Sequence, residues 1–294
     1  MIRSFINYLK YEKRYSENTV ISYQNDLSQF YDFLENNYSI NDVNQVTHFI
    51  LRSWVVFLMK NNMSPRTVNR KISTIRKYFL FLKRENKIET NPTKMIIAPK
   101  IGKSLPKFIR KTEIDDLLDN VLKPTDYSDF RDKLIVSLLY NTGMRRAEMI
   151  NLSDKDIDFI NKTILVTGKG KKQRIIPVTD SLLIEIEEFI NERNAFFENE
   201  VKDFLILSDK GNKIYPKFVY NVVFKNLSMV SSSVKRSPHV LRHSIATHLS
   251  DENVEISALK AFLGHSSLSS TQIYTHNSIE KLKKAYVKAH PKAK

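Results

Sequence analysis

No cysteine occurs among the 294 residues. Disulfides, thiolate metal sites and a cysteine nucleophile are thereby excluded, and the chain suits a reducing compartment. No apolar run approaches the roughly 18 residues that a membrane span needs. Arg3, Ser4, Asn7 and Lys10 interrupt the first turns, so neither a targeting segment nor a membrane partner is expected and the protein reads as cytoplasmic. Glycine is scarce at the front: none precedes Gly102, and Pro65 is the only proline before Asn91. With apolar residues at helical spacing, that scarcity predicts a wholly helical stretch over residues 1–90. No repeat with a period of about 20 to 50 residues recurs, so a solenoid is not expected.

Acidic residues are outnumbered, 32 against 47 basic ones, which leaves a formal charge of +15. The excess is shared almost evenly between the first hundred residues and the rest, as it would be if a polyanionic duplex ran between two lobes. Length and an apolar content of 41% support two domains with real cores.

The helical stretch divides into four. The first runs over about Ile2 to Glu12, and Ser16 caps a longer one with Val20, Tyr23, Leu27, Phe30 and Leu34 along one face. A third spans about Val46 to Lys60, with Phe49, Ile50, Trp54, Phe57 and Leu58 as its apolar residues. Ser64-Pro65 opens the fourth, which turns Val68, Ile72, Ile75, Phe79 and Leu82 inward. Its basic flank, Arg66, Arg70, Lys71, Arg76 and Lys77, is the expected phosphate-facing surface. Asn91-Pro92, Pro99 and Leu105-Pro106 mark a linker over residues 91–106.

From residue 107 a second domain is expected. Thr112 to Asp115 has the pattern of a capping box, and an apolar helix over about Asp129 to Tyr140 stops at Asn141-Thr142-Gly143. A short helix follows over about Arg146 to Leu152. Short β-type runs cover Ile157 to Phe159, Thr163 to Thr167 and Arg174 to Val178, with Gly168 to Lys172 turning between the last two. Further helices are expected over about Leu182 to Asn194, Pro216 to Val230, Pro238 to Leu249, Glu255 to Phe262 and, amphipathic and lysine-rich, 279–289. The fold class is thus mainly α with a small antiparallel β-sheet.

The residue types suited to phosphodiester chemistry gather late in the chain. Ser237-Pro238 starts a helix with His239 and Arg242 three apart on one face, and helix N-termini favour anions. Leu263-Gly264-His265 follows a helix stop, and Tyr274-Thr275-His276 lies nine positions beyond His265. His239 and His243 have the spacing to share a metal with His265, yet no ordered carboxylate motif accompanies them, so neither metal nor cofactor is expected.

Taken in order, Asn141 to Glu148, Gly168 to Arg174, His239 with Arg242, Leu263 to His265 and Tyr274 to His276 closely resemble the pattern of the tyrosine recombinase family, specifically its Xer type. The resemblance covers nearly the whole chain. Residues 1–90 resemble the family's helical core-binding, DNA-clamping domain, and residues 107–294 its mixed α/β catalytic domain ending in an interaction helix. Ala147 departs from the serine of many relatives and carries none of the charged roles.

The resemblance implies catalytic roles for Arg145, Lys169, His239, Arg242, His265 and Tyr274. Guanidinium forks at Arg145 and Arg242 suit non-bridging phosphate oxygens. Tyr274 suits the nucleophile, and as a phenol with an ordinary pKa near 10 it needs a proton acceptor, for which His239 is the candidate. Lys169 in its glycine-flanked turn is the implied general acid for the leaving 5′ oxygen, and His265 is expected to bind a phosphate oxygen or hold the phenol. Glu148 is expected to orient this group, and Lys171 and Lys172 to contact DNA. His243, His248 and His276 are left to packing or the substrate side.

The implied activity is metal- and ATP-independent site-specific recombination through a 3′-phosphotyrosyl intermediate, resolving chromosome or plasmid dimers. An integrase of a mobile element shares that chemistry, and a DNA-binding regulator with a recombinase fold is the non-enzymatic alternative. The implied partners are double-stranded DNA at a core site, three further subunits in a synaptic tetramer, either a homo-tetramer or a hetero-tetramer with a second Xer-type recombinase, and, as a candidate, a DNA translocase of the FtsK kind.

Overall fold

A computed structural model describes residues 1–102, 108–198, 203–231, 235–252 and 255–264. The chain divides into two compact units, Met1–Ser104 and Leu105–Lys294.

The first unit is helical: α1 (Ile2–Asn7) running into a π turn over Tyr8–Glu12, α2 (Glu17–Tyr38), α3 (His48–Lys60) and α4 (Pro65–Arg84). Ser64 caps α4 as its motif predicts, its Oγ accepting the Thr67 N–H at 3.2 Å with Pro65 in the first turn. Phe5, Phe30, Trp54, Tyr78 and Phe79 make an aromatic core, with the Phe30 and Trp54 rings edge to face at 5.0 Å. Phe49 and Phe57 lie outside it, exposed on α3.

The residues from Asn91 to Pro99 do structural work in this unit. Asn91 caps a 3-10 turn over Pro92–Met95 by accepting the Thr93 N–H at 2.9 Å, and Ile96 is buried in the core. Asn69 Nδ2 holds Pro99 O at 3.0 Å. The helix has already ended at Arg84, before Asn91-Pro92, and Ile88 and Ile96 keep the following chain on the core.

The second unit is organised around α6 (Tyr127–Thr142), where Leu134, Ile135, Leu138, Leu139 and Tyr140 are fully buried. An all-round apolar helix has to be covered on every side. Before it stands α5 (Lys111–Asp116), and against it pack α8 (Asp180–Phe196), α9 (Pro216–Val230) and α10 (Pro238–Asp251). The cap of α5 lies two residues earlier than the sequence pattern suggests: Arg110 is the N-cap, and Glu113 Oε2 accepts its N–H at 2.9 Å. Thr112 is inside the helix. Glu113, in place of the Asp115 that the pattern pairs with Thr112, sets the start, two residues before the hydroxyl.

The sheet is a three-stranded antiparallel meander of β1 (Ile157–Asp158), β2 (Thr163–Thr167) and β3 (Gln173–Pro177), paired in the order β1-β2-β3. Leu165 faces Ile175 and Thr167 faces Gln173 in its main ladder. Two short helices complete the unit: α7 (Arg146–Ile150) directly after α6, and α11 (Ile256–Leu263) near the end of the described chain. Gly143 joins α6 to α7 at φ +57, and a Cβ there would stand 2.9 Å from Leu263 Cδ2. Only glycine lets α11 approach so closely. Among the described residues no helix is long and apolar enough to cross a membrane.

Candidate active site

Arg145 is the N-cap of α7, and Glu148 is three residues into it. The Arg145 N–H donates to Glu148 Oε2 at 2.7 Å and its Nη1 to Oε1 at 2.9 Å. From β3, Arg174 donates Nη1 to Oε1 and Nη2 to Oε2, both at 2.9 Å. Each oxygen of the buried carboxylate thus accepts two hydrogen bonds. Burial pushes the Glu148 carboxyl up, but the Arg174 and Arg145 hydrogen bonds and charges outweigh it and hold the group below its ordinary value.

The other side of the site is the end of α11. A helix leaves its last carbonyls without partners inside the helix, at the negative end of its dipole. Here three consecutive carbonyls each receive a guanidinium from a different element. Arg174 Nε donates to Phe262 O at 3.2 Å, Arg242 Nη2 to Leu263 O, and Arg145 Nη2 to Gly264 O at 2.9 Å. Arg242 Nη1 also donates to Gly143 O.

Two of the three guanidiniums, those of Arg145 and Arg174, close on the Glu148 carboxylate, and the third, Arg242, is held beside them by backbone carbonyls alone. Burial and the neighbouring Arg145 and Arg174 charges push the Arg242 guanidinium down to about 10, with Glu148 acting in the opposite direction. Arg242 is 8% exposed, whereas the Arg145 side chain is 46% exposed and presents its remaining N–H groups to solvent. A cluster with surplus buried positive charge and an outward guanidinium is built to receive an anion.

The structure brings Arg145, Glu148 and Arg242 together from positions nearly a hundred residues apart. His239 lies in the first turn of α10, exposed, one turn before Arg242. Lys169 lies in the turn between β2 and β3, where Gly168 N–H closes on Lys172 O at 2.7 Å and Gly170 takes φ +73; Lys171 and Lys172 are exposed beside it. His265, Tyr274, His276 and the helix expected over 279–289 lie outside the described residues. Among the described residues no group of three His, Cys, Asp or Glu side chains could hold a metal.

The basic flank of α4 is not the uniform phosphate-facing surface expected from its periodicity. Lys71 is buried, its Nζ donating to Asp26 Oδ1 at 2.9 Å and to Gln29 Oε1, so it cannot reach a phosphate. Arg70 grips the same carboxylate through both Nη atoms. Arg76 Nη2 donates to Ile96 O at 2.7 Å, and Lys77 Nζ to Tyr15 Oη at 3.0 Å. Arg66 is exposed in the first turn. Asp26 on α2, 45 residues before Lys71, is the reason, and helical spacing along α4 carries no sign of it.

Arg174 is not among the site residues expected from the sequence, although a signal for it exists. Along β3, residues 174 and 176 share a face, and Ile176 is wholly buried. An arginine in phase with a core isoleucine needs a buried partner, and Glu148 is that partner.

Comparison with known proteins places the chain. The model of the phage integrase family matches residues 107–281, and that of the phage integrase N-terminal SAM-like domain matches residues 2–86. The tyrosine recombinase XerC of Oceanobacillus iheyensis is 38% identical over 99% of this chain and 96% of its own length. The chain belongs to the phage integrase family of tyrosine recombinases. A XerC of Staphylococcus aureus is 36% identical and that of Bacillus subtilis 34%, each over 99% of this chain and 96% of its own length. The fold of this recombinase is also that of the XerH site-specific recombinase bound to a palindromic difH substrate, with a TM-score of 0.73 and 22% identity over 97% of this chain and 82% of that one. A lambda integrase dimer bound to a COC' core site aligns with a TM-score of 0.70 and 16% identity over 92% and 97% of the two chains. The protein is a tyrosine-type site-specific recombinase, and DNA is its substrate.

Proposed function

We propose that this recombinase is an Xer enzyme that resolves chromosome or plasmid dimers by exchanging strands at a specific core site. The observation that carries the chemical part is the Arg145–Glu148–Arg242 cluster, whose surplus positive charge suits a phosphodiester. Two guanidiniums neutralise the non-bridging oxygens as charge builds on them. The Tyr274 oxygen bonds to phosphorus while the bond to the 5′ oxygen breaks. His239 takes the phenol proton, and Lys169 supplies a proton to the departing 5′ oxygen. Phosphodiester energy is kept in the 3′-phosphotyrosyl bond, and His265 supports the phosphate or the phenol. The near full-length likeness to XerC proteins supports the dimer-resolving role.

The enzyme acts as a tetramer on two core sites, with the segment after Ile279 docking on a neighbouring subunit, a second Xer-type recombinase as partner and a translocase of the FtsK kind as controller. Incubation with nicked duplexes carrying chromosomal core sites is expected to give a covalent protein-DNA band on a denaturing gel, absent for Tyr274→Phe, which still binds. A band that persists in Tyr274→Phe moves the nucleophile elsewhere. No band on any core site, with or without a second recombinase, overturns the enzymatic reading.

A further inference from the structure

Arg174 has neither of the roles just assigned to Arg145 and Arg242, yet it contacts the carboxylate that holds Arg145 and the α11 carbonyl next to the one that holds Arg242. It is buried, with a side chain 6% exposed, and its three nitrogens are all engaged: two on the Glu148 carboxylate and Nε on Phe262 O. Glu148 in turn fixes Arg145 by backbone and side chain. Two motif glycines press on the same pair. A Cβ at Gly264 would stand 3.0 Å from Arg174 Cδ and 3.1 Å from its Nε, and a Cβ at Gly168 would stand 3.1 Å from Glu148 Oε1. Three parts of the site therefore meet at Arg174: the strand leading from the lysine-bearing turn, the carboxylate beneath Arg145, and the end of α11 that leads to His265.

We infer that Arg174 is a positioning residue for phosphate activation, acting through Glu148 to set the direction of the Arg145 guanidinium. Without it, Glu148 keeps only the Arg145 donors and turns toward them, and the end of α11 loses its tie at Phe262. Arg145 then swings with the carboxylate instead of facing the substrate from a fixed base. A lysine at 174 cannot replace this arrangement, because one ammonium cannot span both carboxylate oxygens and a carbonyl at once. The inference rests on Arg145 being a phosphate ligand.

The test is a double-mutant cycle on single-turnover formation of the covalent adduct with a nicked duplex. Arg174→Gln is expected to slow adduct formation about 10- to 100-fold, the range typical when a group supporting a reactive ligand is removed. Arg174→Lys should slow it by a smaller factor while keeping the charge. On Arg145→Ala as background, Arg174→Gln should cost less than about 2-fold further, because the residue it acts through is gone. A second readout uses a neutral methylphosphonate at the scissile position, which has no charge for the arginines to balance and on which the Arg174→Gln defect should shrink.

Equal factors in both backgrounds and on both substrates would make Arg174 a purely structural residue and overturn the inference, as would an unslowed Arg174→Gln. Should Arg174→Gln lack a cooperative thermal transition, the same cycle is run with Arg174→Lys. If Arg145→Ala alone fails to slow the reaction, the assignment of Arg145 fails instead, a result separate from any effect at Arg174.

Discussion

Glu148 is the residue whose removal should cost the most fold stability in the site. With it gone, Arg174 is left buried with an uncompensated charge and Arg145 loses its cap. Breaking a buried pair from one side costs about 3–5 kcal/mol, so Glu148→Ala should lower the thermal midpoint by several degrees, with Glu148→Gln in between. The pH dependence has a definite sign. A carboxylate held below its ordinary value in the folded state contributes stability that is present above about 4.5 and is lost as pH falls through the folded value. Thermal midpoints measured from pH 6 down to 3 should therefore fall more steeply for the wild type than for Glu148→Gln; parallel curves would mean that this carboxylate is not specially stabilised.

At the scale of elements, the contacts at the end of α11 make Gly264 more demanding than Gly170. Both have positive φ, but a Cβ at 170 would meet nothing within 4 Å, whereas one at 264 would press on Arg174. The backbone cost alone is about 1 kcal/mol, so Gly170→Ala should lose about that much by thermal denaturation and Gly264→Ala distinctly more; equal losses would deny the close approach. Elements were also where the sequence was most legible. The apolar period and punctuating residues place α9 over Pro216–Val230 and β2 over Thr163–Thr167, as observed, because both signals are local. What was not legible depended on distant partners. The α5 cap used a glutamate with no hydroxyl in front of it, Lys71 was claimed by an aspartate on another helix, and Arg174 meets Glu148 only once β3 has folded beside α7. Of the ordered motif residues, Arg145, Glu148 and Arg242 come together in the fold, and their supporting carbonyls have no side-chain identity to read.

For the whole molecule, net charge overstates the surface available to DNA. In the first unit, the Asp26 carboxylate takes up Arg70 and Lys71 together, so a count of basic residues on α4 exceeds the number that can release counterions. Each phosphate contact contributes about 0.9 to the slope of log affinity against log salt. Arg66→Ala should reduce that slope by about one such contact and Lys71→Met should leave it unchanged, as measured by DNA binding over a range of salt; a reduced slope for Lys71→Met would return it to the interface. The pinned end of α11 has a consequence for the whole chain as well. The count of residues toward Tyr274 starts at carbonyls fastened from three directions. The end of α11 is thus the zero mark of a ruler, and the ten steps from Gly264 to Tyr274, at most about 3.6 Å each, set a reach that insertions and deletions can alter only by changing the count itself.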